Sequence, residues 1–221
     1  MNIFKKIKNI LLEIVNILFF LNKYRFTPPP KFSDLSNYND LMDLIVRENC
    51  FDIDGDFVEI GCFLGGGTYK LSRLIEKTNK KIYTIDLFDP TFDTTTCIKG
   101  KKMSTIYHSH LKGRNQKEIY EKITEKCNNI VTLVGDSKKI DLPCKKISFG
   151  FIDGNHSSEY VKSDFYLLWS KSISGTIIAF DDYGYDLPNV TKTIHEIIFS
   201  KIDEIKKIGT IGKKIIWFQK K

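Results

Sequence analysis

Arginine is nearly missing from this basic chain. Of the 34 Lys and Arg residues in 221, only Arg25, Arg47, Arg73 and Arg114 are arginine, and the lysines are scattered among Ile and Asn along the whole length. No arginine-rich stretch occurs, and no basic run interleaved with aromatics, so the net charge of +7 does not point to a nucleic-acid partner. No C-x-x-C or zinc-type spacing relates Cys50, Cys62, Cys97, Cys127 and Cys144. An odd, scattered set of thiols argues against a disulfide framework and fits a reducing, cytoplasmic compartment. Long apolar runs are absent too. The densest, Ile10 to Leu21, contains Glu13 and Asn16, is too short to span a bilayer and is followed by no small-residue cleavage site. Finally, no G-x-G-x-x-G is found, which counts against a pyrophosphate-binding dinucleotide site.

What is present is the composition of a soluble globular chain, 42% apolar and 28% charged, long enough to bury one proper core. Residues 1–26 stand apart as an amphipathic helix. Ile3, Ile7, Ile10, Leu11, Ile14, Val15 and Leu18 fall on one stripe, opposite Lys5, Lys6, Asn9, Glu13 and Asn16. Such a helix packs on its own domain or on a second copy of the chain, or lies on a membrane surface, which would place the protein at the inner face of the membrane. Residues 27–50 form a proline hinge, "TPPP", and a leading helix with Ser33 or Ser36 as possible caps. The remaining chain, 51–221, alternates short apolar strands with helices and closes on "IKKIGTIGKKIIWFQKK", two strands about a turn at Gly209–Gly212. The interval 89–115 shows no periodicity and reads as a functional segment covering a substrate, with His108, His110, Lys101, Lys102 and Arg114 as polar groups for an anionic acceptor. This alternation predicts an α/β fold with a mostly parallel, Rossmann-like sheet, helices on both faces and a C-terminal antiparallel hairpin.

Ligands of such sheets bind where the strands end. The first strand ends in "VEIGCFLGGGT", whose Gly61, Gly65, Gly66 and Gly67 allow a tight turn and a close approach to a ligand. Asp86 ends the second strand, about 25 residues beyond Gly61, where an acid accepts hydrogen bonds from ribose hydroxyls. Asp136 and Ser137 follow the third strand, suited to an adenine amino group. The fourth and fifth strands end in "FIDGNH" and "AFDDYG", which bring Asp153 to Asp181 and Asp182 if those strands are neighbours. Converging carboxylates repel unless positive charge lies among them, and oxygen ligands suit Mg²⁺, Mn²⁺ or Ca²⁺, with Mg²⁺ foremost. The plainer alternative for each acid is a helix cap.

Taken in order and spacing, "DFVEIGCFLGGGT", "IYTIDLF", "VTLVGDS", "FIDGNHSSEYVKSDFYLLW" and "GTIIAFDDYG" resemble the class I S-adenosylmethionine-dependent methyltransferases. The nearest likeness is to metal-dependent O-methyltransferases of the macrocin and sugar type, with catechol O-methyltransferases more distant. The resemblance implies the seven-stranded sheet of that class. It also implies that Glu59 and Gly61 hold the methionine end of the cofactor, Asp86 its ribose, and Asp136 with Ser137 its adenine, Gly65 completing the glycine loop. Asp153, Asp181 and Asp182 match the family's metal ligands. Sugar-modifying relatives often read D-G-D-H where this chain has Asn155, an amide that takes no proton. His156 occupies the position of the base in the catechol type and would either take the acceptor's proton or orient a ligand. The implied activity is methyl transfer to a hydroxylated small molecule such as a sugar or glycan precursor. The rivals are an NAD(P)-dependent oxidoreductase and a non-catalytic, membrane-associated assembly protein.

Overall fold

The computed structural model describes residues 38–221. The expected helix at 1–26, the "TPPP" hinge and the caps at Ser33 and Ser36 lie outside the described residues.

The first described element is a helix, α1 (Tyr38–Arg47). β1 (Asp56–Ile60), α2 (Gly66–Ile75) and β2 (Ile82–Asp86) follow, then α3 (Met103–Leu111), α4 (Gln116–Thr124) and β3 (Ile130–Val134). The second half runs β4 (Ile147–Ile152), α5 (Ser158–Lys171), β5 (Ser172–Phe180), α6 (Pro188–Lys201), a short 3₁₀ turn, β6 (Ile205–Ile211) and β7 (Ile215–Lys220). The seven strands form one sheet in the order β3-β2-β1-β4-β5-β7-β6. β1 to β5 pair in parallel, and β7 lies antiparallel between β5 and β6. The seven-stranded, mostly parallel sheet and the closing hairpin therefore stand as expected.

Side chains of the central strands alternate between two apolar layers, as the period of two in a strand requires. Phe57, Phe149, Phe151, Ile177, Ala179, Ile215 and Trp217 face α1 and α2. Val58, Ile60, Ile152, Ile178, Phe180, Ile216 and Phe218 face α5 and α6. Gly150 lets α5 settle on β4, since a Cβ there would meet Leu168 Cδ1 at 2.7 Å. Phe165 then reaches Trp169, Phe180 and Phe218 with ring centroids 5.0, 6.0 and 6.4 Å away. Full burial of one such side chain stabilises by roughly 1.5–3 kcal/mol.

The structure departs from the sequence reading in two places. The aperiodic interval 89–115 contains a helix, α3, in which only Leu111 is buried, so it carries no apolar stripe to betray it. The closing turn is also displaced. Gly209 lies within β6 opposite Trp217, and the chain reverses at 212–214. Gly209 is there because a Cβ would stand 2.6 Å from the Trp217 ring. Gly209→Val should therefore lower stability by about 1–3 kcal/mol through overpacking. Thermal denaturation checks this, and an unchanged melting temperature would contradict the packing.

Candidate active site

Strand order reverses between β1 and β4, and at such a point the two crossovers leave in opposite directions and open a crevice. Gly61, with φ +89°, begins it. A Cβ at this residue would come within 2.0 Å of the Asp153 carbonyl oxygen, so only glycine lets β1 and β4 stay paired as both chains turn away. The ladder extends through Asp153 N–H to Ile60 O (2.8 Å) and Asp181 N–H to Ile152 O (3.0 Å). Three consecutive strand ends are thereby held in register. The resulting cleft has a volume of about 320 Å³, and Gly61, Asp86, Asp136, Ser137, Asp153 and Asp182 are among its walls.

Asp86 organises one side. Its Oδ2 accepts from the N–H groups of Cys62 (3.0 Å) and Phe63 (2.9 Å), and its Oδ1 from Phe88 N–H (2.7 Å). Burial raises its carboxyl above the usual range, and these backbone donors oppose the rise. Glu59 and Gly65, expected at the cofactor, do not line the cleft. Glu59 is fully buried, with Tyr38 Oη donating to Oε1 (2.6 Å) and Thr68 to Oε2, so it ties α1 and the start of α2 to β1. Gly65 supplies the left-handed residue before α2 and packs against Tyr120. Both stand one layer behind the cleft wall.

The other side gathers charge. Asp153, His156, Asp181 and Asp182 meet there, joined by two residues that sequence reasoning missed, Asp93 and Lys214. His156 is 5% exposed. Its Nδ1 lies 2.6 Å from Asp93 Oδ2, and its backbone N–H donates to the same oxygen at 3.3 Å. Its Nε2 points at Asp182 Oδ2 (3.1 Å) and Asp153 Oδ1 (3.8 Å) without an aligned hydrogen bond to either. Burial alone would lower the imidazole pKa, but Tyr107 and the carboxylates of Asp153, Asp182 and Asp93 raise it well above its ordinary value. Lys214 Nζ lies 2.5 Å from Asp181 Oδ2 and 3.0 Å from Asp182 Oδ1. Burial and Asp153 push the Asp181 carboxyl up, whereas Asp182, although buried, is held low by His156 and Lys214. Asp182 is left-handed at φ +57°, uncommon for a non-glycine residue, and this strained bend serves both neighbours.

A group that fits a metal ion follows, but its membership shifts. Among the described residues, Asp153, His156 and Asp182 place a carboxylate oxygen, a ring nitrogen and a carboxylate oxygen within 4.8 Å of one another. Asp181 lies outside that group, and both it and Asp182 are paired with Lys214. The buried, unaligned Nε2 and the mixed donor set fit a divalent cation, and the imidazole beside the carboxylates departs from the all-oxygen set on which Mg²⁺ was expected.

The segment over the cleft is set differently from expectation. Tyr107 on α3 lines the cleft and packs at a tilt against Phe63, whose φ is +45° (centroids 5.3 Å apart). His108, His110, Lys101 and Lys102 do not line it. Arg114 is spent on the C-terminus of α3, donating to Leu111 O (3.0 Å) and His110 O (3.3 Å). No sequence signal marked Asp93. Lys214 was recoverable in principle, because a strand antiparallel to β5 must start near the end of β5, beside "FDD".

A doubly wound sheet with a cleft at its switch point, walled by acids from successive strand ends, defines an α/β protein of the nucleotide- and cofactor-binding class. Residues 58–183, more than half of the chain, match the family model described as "Methyltransferase domain", and the chain belongs to that family. Solved structures share the fold. The O-methyltransferase NovP is 17% identical, with a TM-score of 0.61 over 82% of this chain and 79% of that one. The TDP-rhamnose 3'-O-methyltransferase CalS11, of calicheamicin biosynthesis, is 16% identical, with a TM-score of 0.57 over 82% and 78%. A putative caffeoyl-CoA O-methyltransferase from Staphylococcus aureus is 14% identical, with a TM-score of 0.52 over 95% and 92%. No curated protein sequence matches the chain. Among the described residues, no helix is long and apolar enough to cross a membrane.

Asp164 on α5 sits behind the cleft, 1% exposed, and neither of its oxygens has an aligned partner. Burial pushes its carboxyl up from 3.8 to about 7, with Ser137 offsetting only part. Folded protein therefore holds a proton that unfolded protein releases above pH 4, and stability falls as pH rises from about 4 to 7, by roughly 4 kcal/mol in all. Asp164→Asn should remove this slope, so its melting temperature relative to wild type climbs between pH 5 and 8. A constant difference across that range would refute the buried, protonated assignment.

Proposed function

We propose that this protein is an S-adenosylmethionine-dependent O-methyltransferase acting, with a divalent cation, on a hydroxylated small molecule of the sugar or glycan-precursor type. The observation that carries the reading is the pairing of His156 with Asp93 at the edge of the cleft. It leaves one buried ring nitrogen facing Asp153 and Asp182, next to the wall formed by Asp86, Asp136 and Ser137. The sugar preference rests on the resemblance and on the fold shared with CalS11.

Asp86, at the end of β2, would take the ribose hydroxyls, with Asp136 and Ser137 at the adenine and Gly61 allowing the methionine end close to the backbone. The cofactor supplies a methyl group already activated by its sulfonium, so the chain's task is to align the acceptor oxygen and remove its proton. Asp153 and Asp182, with His156 Nε2 beside them, are the residues to hold a divalent cation, which supplies Lewis-acid stabilisation of a deprotonated oxygen. Asp93 fixes the tautomer of His156 by accepting from Nδ1, and Nε2 is then the atom that takes the acceptor's proton. With Asp153 and Asp182 neutralised, the imidazole would take a proton and give it up more readily, because their charge raises its pKa. A ligand role for His156 is the second reading, favoured by the closeness of its Nε2 to both carboxylates.

The two readings separate in His156→Ala. As the base, its loss lowers kcat by about 10²–10⁴-fold and leaves Mn²⁺ affinity within a few-fold of wild type. As a ligand, its loss weakens Mn²⁺ binding by an order of magnitude or more. The activity itself is tested by calorimetric titration with S-adenosylmethionine and with NAD, followed by turnover on nucleotide sugars in the presence of excess chelator. We expect binding of the first cofactor alone and loss of turnover in chelator. Binding of NAD alone would favour the oxidoreductase, and full turnover in chelator would remove the metal from the mechanism.

A further inference from the structure

Among the described residues that line the cleft, Lys214 is the only lysine or arginine. The fold delivers it there by a definite route. β7 runs antiparallel to β5 with Ile216 opposite Phe180, so the turn before β7 falls beside the carboxyl end of β5. The backbone is fixed at that point by Tyr183 N–H donating to Lys214 O at 2.8 Å. The side chain then reaches Asp181 and Asp182 while remaining 22% exposed.

Asp182 is the shared element. Its Oδ1 is 3.0 Å from Lys214 Nζ, and its Oδ2 is 3.1 Å from His156 Nε2. A cation held by Asp153 and Asp182 would therefore share a carboxylate with an ammonium group. Like charges this close, in a partly buried site, repel strongly. The lysine stem is flexible and its head group has a path to solvent, so the ammonium is able to move where a guanidinium packed at the same place would be more constrained.

We propose that Lys214 is a built-in competitor for the divalent-cation site, compensating Asp181 and Asp182 itself and setting how tightly the ion is held. The proposal rests on the metal reading given above for Asp153 and Asp182. It assigns to this one residue the choice between a loosely and a tightly metal-dependent enzyme, since the cation gains Asp182 in full only when the ammonium withdraws.

The test is calorimetric titration of Mn²⁺ into wild type, Lys214→Met and Lys213→Met, the last removing an equal charge from an exposed neighbour. Lys214→Met should bind Mn²⁺ about tenfold or more tightly than wild type, as relief of a close like-charge contact requires, and Lys213→Met should match wild type. Equal or weaker binding by Lys214→Met overturns the competition and leaves the metal reading standing. If no protein binds Mn²⁺ while wild type binds S-adenosylmethionine, the metal reading itself fails, and the competition with it. A second measurement needs no variant. The rate at which an amine-reactive ester labels Lys214 in wild type, read by peptide mass spectrometry, should rise when Mn²⁺ is added, with Lys213 as the internal reference. Unchanged labelling in protein saturated with Mn²⁺ would also overturn the proposal.

Discussion

Carboxylates brought to one end of a sheet have to be compensated, and the architecture around the cleft follows from how that is done here. Parallel pairing of β4 between β1 and β5 puts Asp153, Asp181 and Asp182 at adjacent strand ends, and the covering segment adds Asp93. Each loses hydration on burial, which is costly for a charge without a partner. The chain supplies two cationic groups, Lys214 from the β6–β7 turn and the imidazole of His156. Both have pKa values raised by the acids around them, in spite of burial. The hairpin that closes the sheet is thus also an electrostatic component of the site, because its turn carries the lysine.

The covering segment is tied down by the same charges. Asp93 reaches His156, Ile98 N–H donates to Asp186 O at 2.8 Å, and Tyr107 packs against Phe63 beside the loop that Asp86 holds. Each contact joins the segment to a different strand end. The mouth of the cleft and the orientation of its one buried histidine are therefore set together. A displacement of Asp93 would release the ring nitrogen that determines which tautomer faces the acids.

The strand ends were legible in the sequence because the period of two and the abrupt change from apolar to acidic residues are local signals. "FIDGNH" and "AFDDYG" announce their position wherever the sheet places them. Asp93 was not legible, since it acts through a partner far along the chain and lies in no regular pattern, and Lys214 was legible only through the antiparallel pairing that brings its turn beside the end of β5. Glu59 illustrates the reverse case. An acid two residues before Gly61 reads as a ligand of whatever the glycine loop holds, yet the alternation of β1 turns its side chain to the α1 and α2 face, where Tyr38 and Thr68 receive it. Alternation within a five-residue strand was enough to make that distinction, and it outranks proximity in sequence. For α3 the reverse holds: a helix with a single buried residue carries too little periodicity to be read.

Asn155 shows why position alone does not fix chemistry. Its side-chain carbonyl accepts from Ser157 N–H at 2.9 Å and so shapes the entry to α5, while its amide is 3.5 Å from Phe92 O on the covering segment. A carboxylate would keep the first contact and lose the second, having no hydrogen to donate. It would also add a further negative charge beside Asp93 and Asp153, with no third cation to meet it among the described residues lining the cleft. The amide is thus the neutral solution at a place already crowded with acids, joining the β4 turn to the segment that carries Asp93. Among the described residues near the strand ends, Asn155 is committed to that link and Lys214 is paired with Asp181 and Asp182, while His156 keeps a buried ring nitrogen without an aligned partner, the feature behind its proposed role as base.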